Sequence, residues 1–282
     1  MSQAITVSVR PDSVAVLTFD QPGNKANVLT RELWAEFGNA LAALDRRTDV
    51  KGLVLASAKP GIFIAGADLK LLANAPGPND PEVRAFIELG LRVLEQLEAL
   101  PFPAWAAIDG AALGGGLEVA LACDYRVCGT NPKVQLGLPE VKLGLIPGWG
   151  GTQRLPRIVG AKEAIEMVTS GRSDSGHNAA KTGLVDTTVD SSLLIEEAAT
   201  RVNQHADARM VRAKKQAPLP KATSSTVLAD TIAAQEAIRV TSEGAALPLY
   251  DAIKLETEAF MRLAGSDESK RLIAEFFASR KK

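Results

Sequence analysis

The chain opens with two short apolar or alternating runs, Ile5–Val9 and Val14–Phe19, on either side of an Arg10-Pro11-Asp12-Ser13 turn. Runs of that length broken by Pro, Asp and Ser predict a β-hairpin. Gln21–Lys25 is a turn-rich break. From Thr30 the period changes. Leu33, Trp34, Phe37, Leu41 and Leu44 recur at helical spacing, and the Thr30 hydroxyl can cap the helix they define. Lys51–Ser57 carries the wholly apolar Leu53-Val54-Leu55, as expected for a strand covered on both faces. A loop through Gly61 then leads to Asp68 and a short helix, and Ala75–Pro81 breaks the chain. Pro81–Leu100 reads as a long amphipathic helix and Ala104–Ile108 as another buried strand.

Strands and helices alternate from the hairpin to about Val189, which predicts an α/β domain. The pattern after Asp190 is helical, without obvious strands, and is broken over Gln216–Thr223 by Pro218 and Pro220. Helices are expected over Thr226–Val240, Leu249–Leu263 and Glu268–Ser279. Their apolar positions, Leu228, Ile232, Ile238, Ile253, Leu272 and Phe276, need something to cover, so the region reads as structure rather than linker. A linear division follows, with an α/β core over 1–195 and a helical C-terminal region over 196–282.

Charge and composition remove several classes of function. Thirty-two Lys and Arg face 33 Asp and Glu, a formal net charge of -1, so no general electrostatic attraction to nucleic acid or an acidic membrane surface is expected. The basic end Arg280-Lys281-Lys282 reads as a solvated tail. No cationic, apolar leader opens the sequence, and no apolar run reaches the roughly 18 residues that span a bilayer. A soluble, cytoplasmic protein is the expectation. Cys123 and Cys128 are too few for a disulfide framework or a four-ligand zinc site and read as small buried hydrophobes. The two histidines, His177 and His205, stand in polar settings unsuited to a Ser-His-Asp or Cys-His mechanism. Carboxylates and backbone groups remain.

Three stretches carry that chemistry. In Asp109–Asp124, DGAALGGGLEVALACD, Gly114–Gly116 end a strand and open a helix that is apolar nearly all round, a mark of burial. Glu118 nevertheless occupies its first turn. A glutamate facing the positive end of a helix dipole is common, but glycines at a helix start let a ligand approach bare N–H groups. In Val134–Arg157, which contains QLGLPEVKLGLIPGWGGTQRLPR, Glu140 is bracketed by Leu138 and Val141. Two carboxylates in apolar settings suit a general acid and base with separated proton affinities. The Pro147–Gly151 turn is expected to present Trp149 on a tight, exposed backbone, either as a core residue or as a pocket wall. In Gly61–Lys70, GIFIAGADLK, Asp68 can cap the short helix and Lys70 is the one nearby charge that could meet a phosphate, although a surface lysine is the plainer reading. No phosphate loop with Lys-Ser/Thr and no G-x-G-x-x-G after a strand occurs, so a nicotinamide-binding unit is not supported.

Together GADLK, ALGGGLEVALACD and LPEVKLGLIPGWGGTQRLPR resemble the signature blocks of the crotonase (enoyl-CoA hydratase/isomerase) superfamily. The resemblance runs from QPGNKANVL at Gln21 to AKTGLVD near Lys181. It implies an α/β spiral of repeated ββα turns with a helical C-terminal region, a CoA thioester substrate, and no separate cofactor or metal. It also implies an oxyanion hole from the N–H groups of Ala67 and Gly115. Glu118 and Glu140 fall where hydratases keep both glutamates, whereas isomerases retain one. Ala26, Ala65, Asp68, Leu69, Lys70, Gly114 and Trp149 fall on substrate-binding positions. The resemblance implies a homo-trimer or hexamer, with neither nucleic acid nor membrane as partner. From Arg212 onward, and above all in LETEAFMRLAGSDESKRLIAEFF, the chain is similar to the hydratase portion of multifunctional fatty-oxidation proteins. Helices of that kind can cover their own subunit, so a monomer stays open, as does isomerase side activity. The expected activity is hydration of trans-2-enoyl-CoA to 3-hydroxyacyl-CoA. The alternatives are a 3-enoyl-CoA isomerase and a non-catalytic acyl-CoA- or RNA-binding member of the fold.

Overall fold

A computed structural model describes residues 3–204, 208–219 and 229–280. The expected hairpin forms from β1 (Ile5–Val9) and β2 (Val14–Phe19), paired antiparallel. Helix α1 (Arg31–Asp45) begins after Thr30, whose hydroxyl accepts the Leu33 N–H at 3.2 Å, and buries the five predicted apolar residues. Strands β3 (Gly52–Ser57) and β4 (Ile62–Ile64) follow, then α2 (Leu69–Ala73) and α3 (Pro81–Ala99). The next turn holds β5 (Ala104–Ile108), β6 (Ala111–Leu113) and α4 (Gly115–Ala122). After it come β7 (Tyr125–Gly129), β8 (Gln135–Gly137) and the short helices α5 (Gly151–Arg154) and α6 (Pro156–Val159). The chain continues through α7 (Ala161–Ser170), β9 (Ser173–Asp174), α8 (Gly176–Thr182) and β10 (Thr187–Val189). Among the described residues that follow, the regular elements are the helices α9 (Leu194–Gln204), α10 (Arg209–Gln216), α11 (Ile232–Ala245), α12 (Leu249–Leu263) and α13 (Asp267–Ser279).

The α/β reading with a helical C-terminal region is therefore correct, and its repeat is visible in how the strands are sorted. The first strand of each successive turn joins one sheet, ordered β1-β2-β3-β5-β7-β10, and the second strands join another, ordered β4-β6-β8-β9. Beyond the hairpin, the pairings of β2, β3, β5, β7 and β10 are parallel. Every residue of β5, and all of β3 but its last, is buried, because a parallel sheet is covered on both faces. One cover is α9, whose Leu194, Ala198, Ala199 and Val202 pack with Val54, Trp105 and Val127.

Contacts gather the residues into two compact units, each drawn from three stretches of chain. The first comprises 1–67, 89–136 and 174–214, and the second 68–88, 137–173 and 215–282. These cuts fall at other points than the linear division at residue 195. Within the second unit, α11 packs on α7 and α12, and α13 packs on α2 and on the 3-10 turn Pro139–Leu143.

Some expectations are corrected in detail. The helix expected from Thr226 starts at Ile232, capped by Thr231, and runs on to Ala245. Ile232 is then at the first helical position and lies 61% exposed, so it covers nothing. Residues 226–228, with Leu228, lie outside the described residues, as do His205, Lys281, Lys282 and residues 220–223 of the expected proline break. Cys123 and Cys128 are buried, as read, and burial pushes the Cys128 thiol up to about 12. Among the described residues no helix is long and apolar enough to cross a membrane.

Candidate active site

In the first unit, the site begins where β4 runs out. Ile62 and Ile64 pair with Ala111 and Ala112 of β6. The chain leaving β4 is gripped by the Gln21–Leu29 loop: Ala65 N–H donates to the Asn27 carbonyl, and Leu29 N–H to the Gly66 carbonyl, each at 2.9 Å. Asn27 fastens that loop from inside. It is fully buried, its amide donates to the Phe19 and Phe63 carbonyls, and its Oδ1 accepts the Gln21 N–H. The sequence reading passed over Asn27. Its only local signal is a polar residue beside Val28-Leu29 in a turn-rich segment.

Two glycines allow the close approach that follows. Gly66 has φ +114°, and a Cβ there would sit 3.1 Å from the Leu113 carbonyl oxygen. A methyl group on Gly116 would overlap the Ile64 carbonyl. The start of α4 therefore lies against the end of β4, backbone to backbone. Gly114, at φ 53°, turns the chain into the helix, and its carbonyl accepts the Leu117 and Glu118 N–H groups. The N–H groups of Gly115 and Gly116 precede any intrahelical acceptor, as at every helix start. The Leu29–Ala67 bridge uses the Gly66 carbonyl and leaves the Ala67 N–H out. The two proposed oxyanion donors thus stand on adjoining backbone segments. Gly114 and Gly115 are buried, Ala67 and Ala26 are half-buried and Ala65 is exposed. Glu118, only 1% exposed, lies in a helix with every residue buried.

In the second unit, Pro139 opens the 3-10 turn and Gly144, in the left-handed region, closes it. Glu140 lies in the first turn. The residue is half-buried, yet its Oε2 is buried and accepts no hydrogen bond among the described residues. Burial pushes its carboxyl well above the ordinary carboxylate range. Its own backbone N–H opposes the shift, and the charge of Glu256 adds to it. Glu256, on α12, is fully buried, and its carboxyl is also raised by burial. It accepts the Gly150 N–H at 2.5 Å, the Thr152 N–H at 2.8 Å and the Thr152 hydroxyl at 2.5 Å. The sequence reading missed it. Its signal was a glutamate on the helical stripe Leu249, Ile253, Phe260, where an apolar residue belongs.

Trp149 departs from expectation. The whole Pro147–Gly151 turn is buried rather than exposed. The indole N–H donates to the Ile87 carbonyl at 3.0 Å, and the ring meets Phe86 edge-on at 5.2 Å. Trp149 is a core residue of this unit. Asp68 caps α2 as read, accepting the Lys70 N–H at 3.0 Å, while Leu69 is half-buried and Lys70 exposed. Of the two glutamates, Glu118 belongs to the first unit and Glu140 to the second.

The Glu140 environment has a measurable cost. A folded-state carboxyl held above its ordinary value contributes stability present at acid pH and lost as pH rises from the ordinary carboxylate range through the raised value. Glutamine has no proton to lose. The melting temperature of Glu140→Gln relative to wild type should therefore rise between about pH 5 and about pH 7, as followed by circular dichroism. A difference that stays flat or shrinks would show an unburdened carboxyl.

The model of the enoyl-CoA hydratase/isomerase family matches residues 10–242. The chain is 31% identical to enoyl-CoA hydratase from Bacillus anthracis, with 99% of this chain and 97% of that one covered and a TM-score of 0.67. It is 32% identical to DspI from Pseudomonas aeruginosa over 75% of this chain and 84% of that one, with a TM-score of 0.66. An enoyl-CoA hydratase/isomerase from Pseudoalteromonas atlantica, 24% identical, covers 98% of this chain and 97% of its own at a TM-score of 0.72 and bears on the fold alone. The sorted ββα turns, the glycine-opened helix and these likenesses agree: the chain belongs to the enoyl-CoA hydratase/isomerase family, within the crotonase superfamily.

Proposed function

We propose that this protein adds water to trans-2-enoyl-CoA to give 3-hydroxyacyl-CoA, as in fatty-acid β-oxidation, with Glu118 and Glu140 as its acid–base residues. The observation that carries the reading is the burial of Glu118 and of the Glu140 Oε2 atom in a family acting on CoA thioesters. A buried carboxyl whose proton affinity is raised is a proton donor near neutral pH. The thioester oxygen accepts hydrogen bonds from the Ala67 and Gly115 N–H groups, and the start of α4 adds its dipole. Each such donor is typically worth about 3 kcal/mol of barrier, or about a hundredfold in rate. Water oxygen bonds to C3 as the alkene pair moves toward the thioester oxygen. Glu118 carboxylate takes a proton from that water. The enolate pair then forms the C2–H bond with the proton of Glu140, and exchange with solvent restores both carboxyls. Coenzyme A is part of the substrate, and the step calls for no further cofactor.

A second reading, 3-enoyl to 2-enoyl isomerisation, draws on the same unpartnered Glu140 oxygen, which could shuttle one proton alone. Hydration of crotonyl-CoA, followed as loss of the conjugated thioester absorbance in wild type and Glu118→Gln, separates the two. Fast wild-type turnover and a crippled variant are expected. A folded protein that binds CoA esters without hydrating them, or a Glu118→Gln variant as fast as wild type, would overturn the hydratase assignment.

A further inference from the structure

Helix α4 presents the proposed oxyanion donor at its N-terminal end, and one side chain grips its other end. Arg126, on β7, is only 3% exposed and reaches back to the helix it follows. Its Nη1 donates to the Ala120 carbonyl at 3.4 Å and to the Cys123 carbonyl at 3.2 Å. The last carbonyls of a helix lack partners within it, and the guanidinium supplies them. The fork is itself fixed. Its Nε donates to the Leu184 carbonyl at 2.7 Å, and its Nη2 lies 3.4 Å from Asp186 Oδ2. The Arg126 backbone N–H donates to that same oxygen at 2.8 Å, and the Asp186 N–H donates to the Arg126 carbonyl at 2.9 Å. Asp124, between the helix and Arg126, is anchored separately. It accepts the Ala104 N–H and two N–H groups of Arg212, each at 2.8 Å.

We infer that Arg126 is a positioning residue for the reaction: by fixing the C-terminal end of α4 it sets where the Gly115 N–H stands. The proposal deepens the hydratase reading and rests on Gly115 as an oxyanion donor. The helix has only 8 residues, so a stiff rod about 12 Å long joins the gripped carbonyls to the Gly115 N–H. At its N-terminal end Gly116 lies against the Ile64 carbonyl, too closely for a methyl group. That contact stops α4 from closing on β4 and does not stop it from drawing away. Apart from Glu118 the side chains of α4 are apolar, and burial of apolar surface has no preferred direction, so packing alone lets the rod slip. The hydrogen bonds of Arg126 supply the missing restraint. Charge plays little part in this. Asp186 accompanies the guanidinium, and at the distance of Gly115 the opposite charges largely cancel.

The test compares the full-length wild type with Arg126→Lys, which keeps the charge and loses the fork. Its readouts are crotonyl-CoA hydration and the absorbance of bound p-dimethylaminocinnamoyl-CoA. That probe conjugates an amino donor with the thioester carbonyl, so it absorbs at longer wavelength as the oxyanion donors polarise the carbonyl. Arg126→Lys should give a smaller red shift than wild type, with kcat about tenfold lower and KM within about threefold. A variant that melts earlier yet keeps the full red shift and the wild-type kcat per binding site would make Arg126 purely structural and overturn the proposal. A wild type that gives no red shift sinks the oxyanion reading, and the role of Arg126 with it. A wild type that polarises the probe without hydrating crotonyl-CoA sinks only the hydratase assignment, and the red shift of Arg126→Lys still decides. If Arg126→Lys does not fold, wild type labelled with nitrogen-15 arginine takes its place. The Arg126 Nε resonance, identified by its displacement in Asp186→Asn, should move when the probe binds, while that of the exposed Arg47 stays fixed. An unmoved Arg126 resonance would mean that α4 does not link its two ends, and the proposal falls.

Discussion

Glu140→Gln is expected to lower kcat for crotonyl-CoA hydration by about a thousandfold while KM stays within about threefold. A positioned general acid contributes roughly a hundred- to ten-thousandfold, and the amide is nearly the same size as the carboxyl it replaces. Glutamine can still donate a hydrogen bond, but it cannot deliver a proton to carbon. Removing an interaction made only in the transition state lowers kcat and kcat/KM together. The stability effect of this variant runs the other way, because the amide relieves the protein of a buried ionisable group. A slower and, near neutral pH, more thermostable enzyme is thus a paired signature. Loss of CoA-ester binding along with rate would mean that Glu140 shapes the site and supplies no proton.

Gly116→Ala should cost about 2 kcal/mol of stability and about a hundredfold in kcat/KM, from one methyl group. The added carbon would overlap the Ile64 carbonyl, and Ile64 is held in β4 by its pairing with β6. Neither side of that contact is a flexible side-chain end, so the backbone itself must shift. Overpacking of this kind costs about 1–3 kcal/mol, and a displacement of about 1 Å near the reacting groups is worth about a hundredfold. The midpoint and slope of urea unfolding, with kcat/KM, measure both effects. Gly77→Ala is the control, since a methyl there meets nothing within 4 Å. A Gly116→Ala protein as stable and as fast as wild type would mean that α4 can stand back from β4 without harm.

What could be read from the residue order alone follows the reach of each physical rule. The hairpin, the Thr30 cap and the Gly114–Gly116 helix start rest on interactions within a few residues, so local chemistry specifies them. The parallel sheet was legible as class, because strands like Leu53-Val54-Leu55 are apolar on both faces. Its sorting of alternate strands into two sheets was not, since no pairwise pattern marks which strand neighbours which. Ile232 fits the apolar pattern yet faces solvent, because the helix begins at that residue. Trp149 was expected on an exposed turn from its flanking glycines, but burial there is decided by Ile87, Phe86 and Glu256, all remote in sequence. Asn27 and Glu256 share one reason for having been missed. Each is a polar residue whose partners lie in other segments, and periodicity says nothing of those partners.

The hydrogen bonds between α12 and the Gly150–Thr152 turn also impose a timetable. They join residues 106 and 104 positions apart. At the usual synthesis rate of about 5–20 residues per second, roughly five to twenty seconds separate the emergence of Thr152 from that of Glu256. Throughout that interval the turn's N–H groups must stay wet, since burying them unpaired would cost more than the packing returns. The second unit therefore cannot dry out from its middle stretch alone. Its closure waits on a long-range contact, the kind that slows folding most.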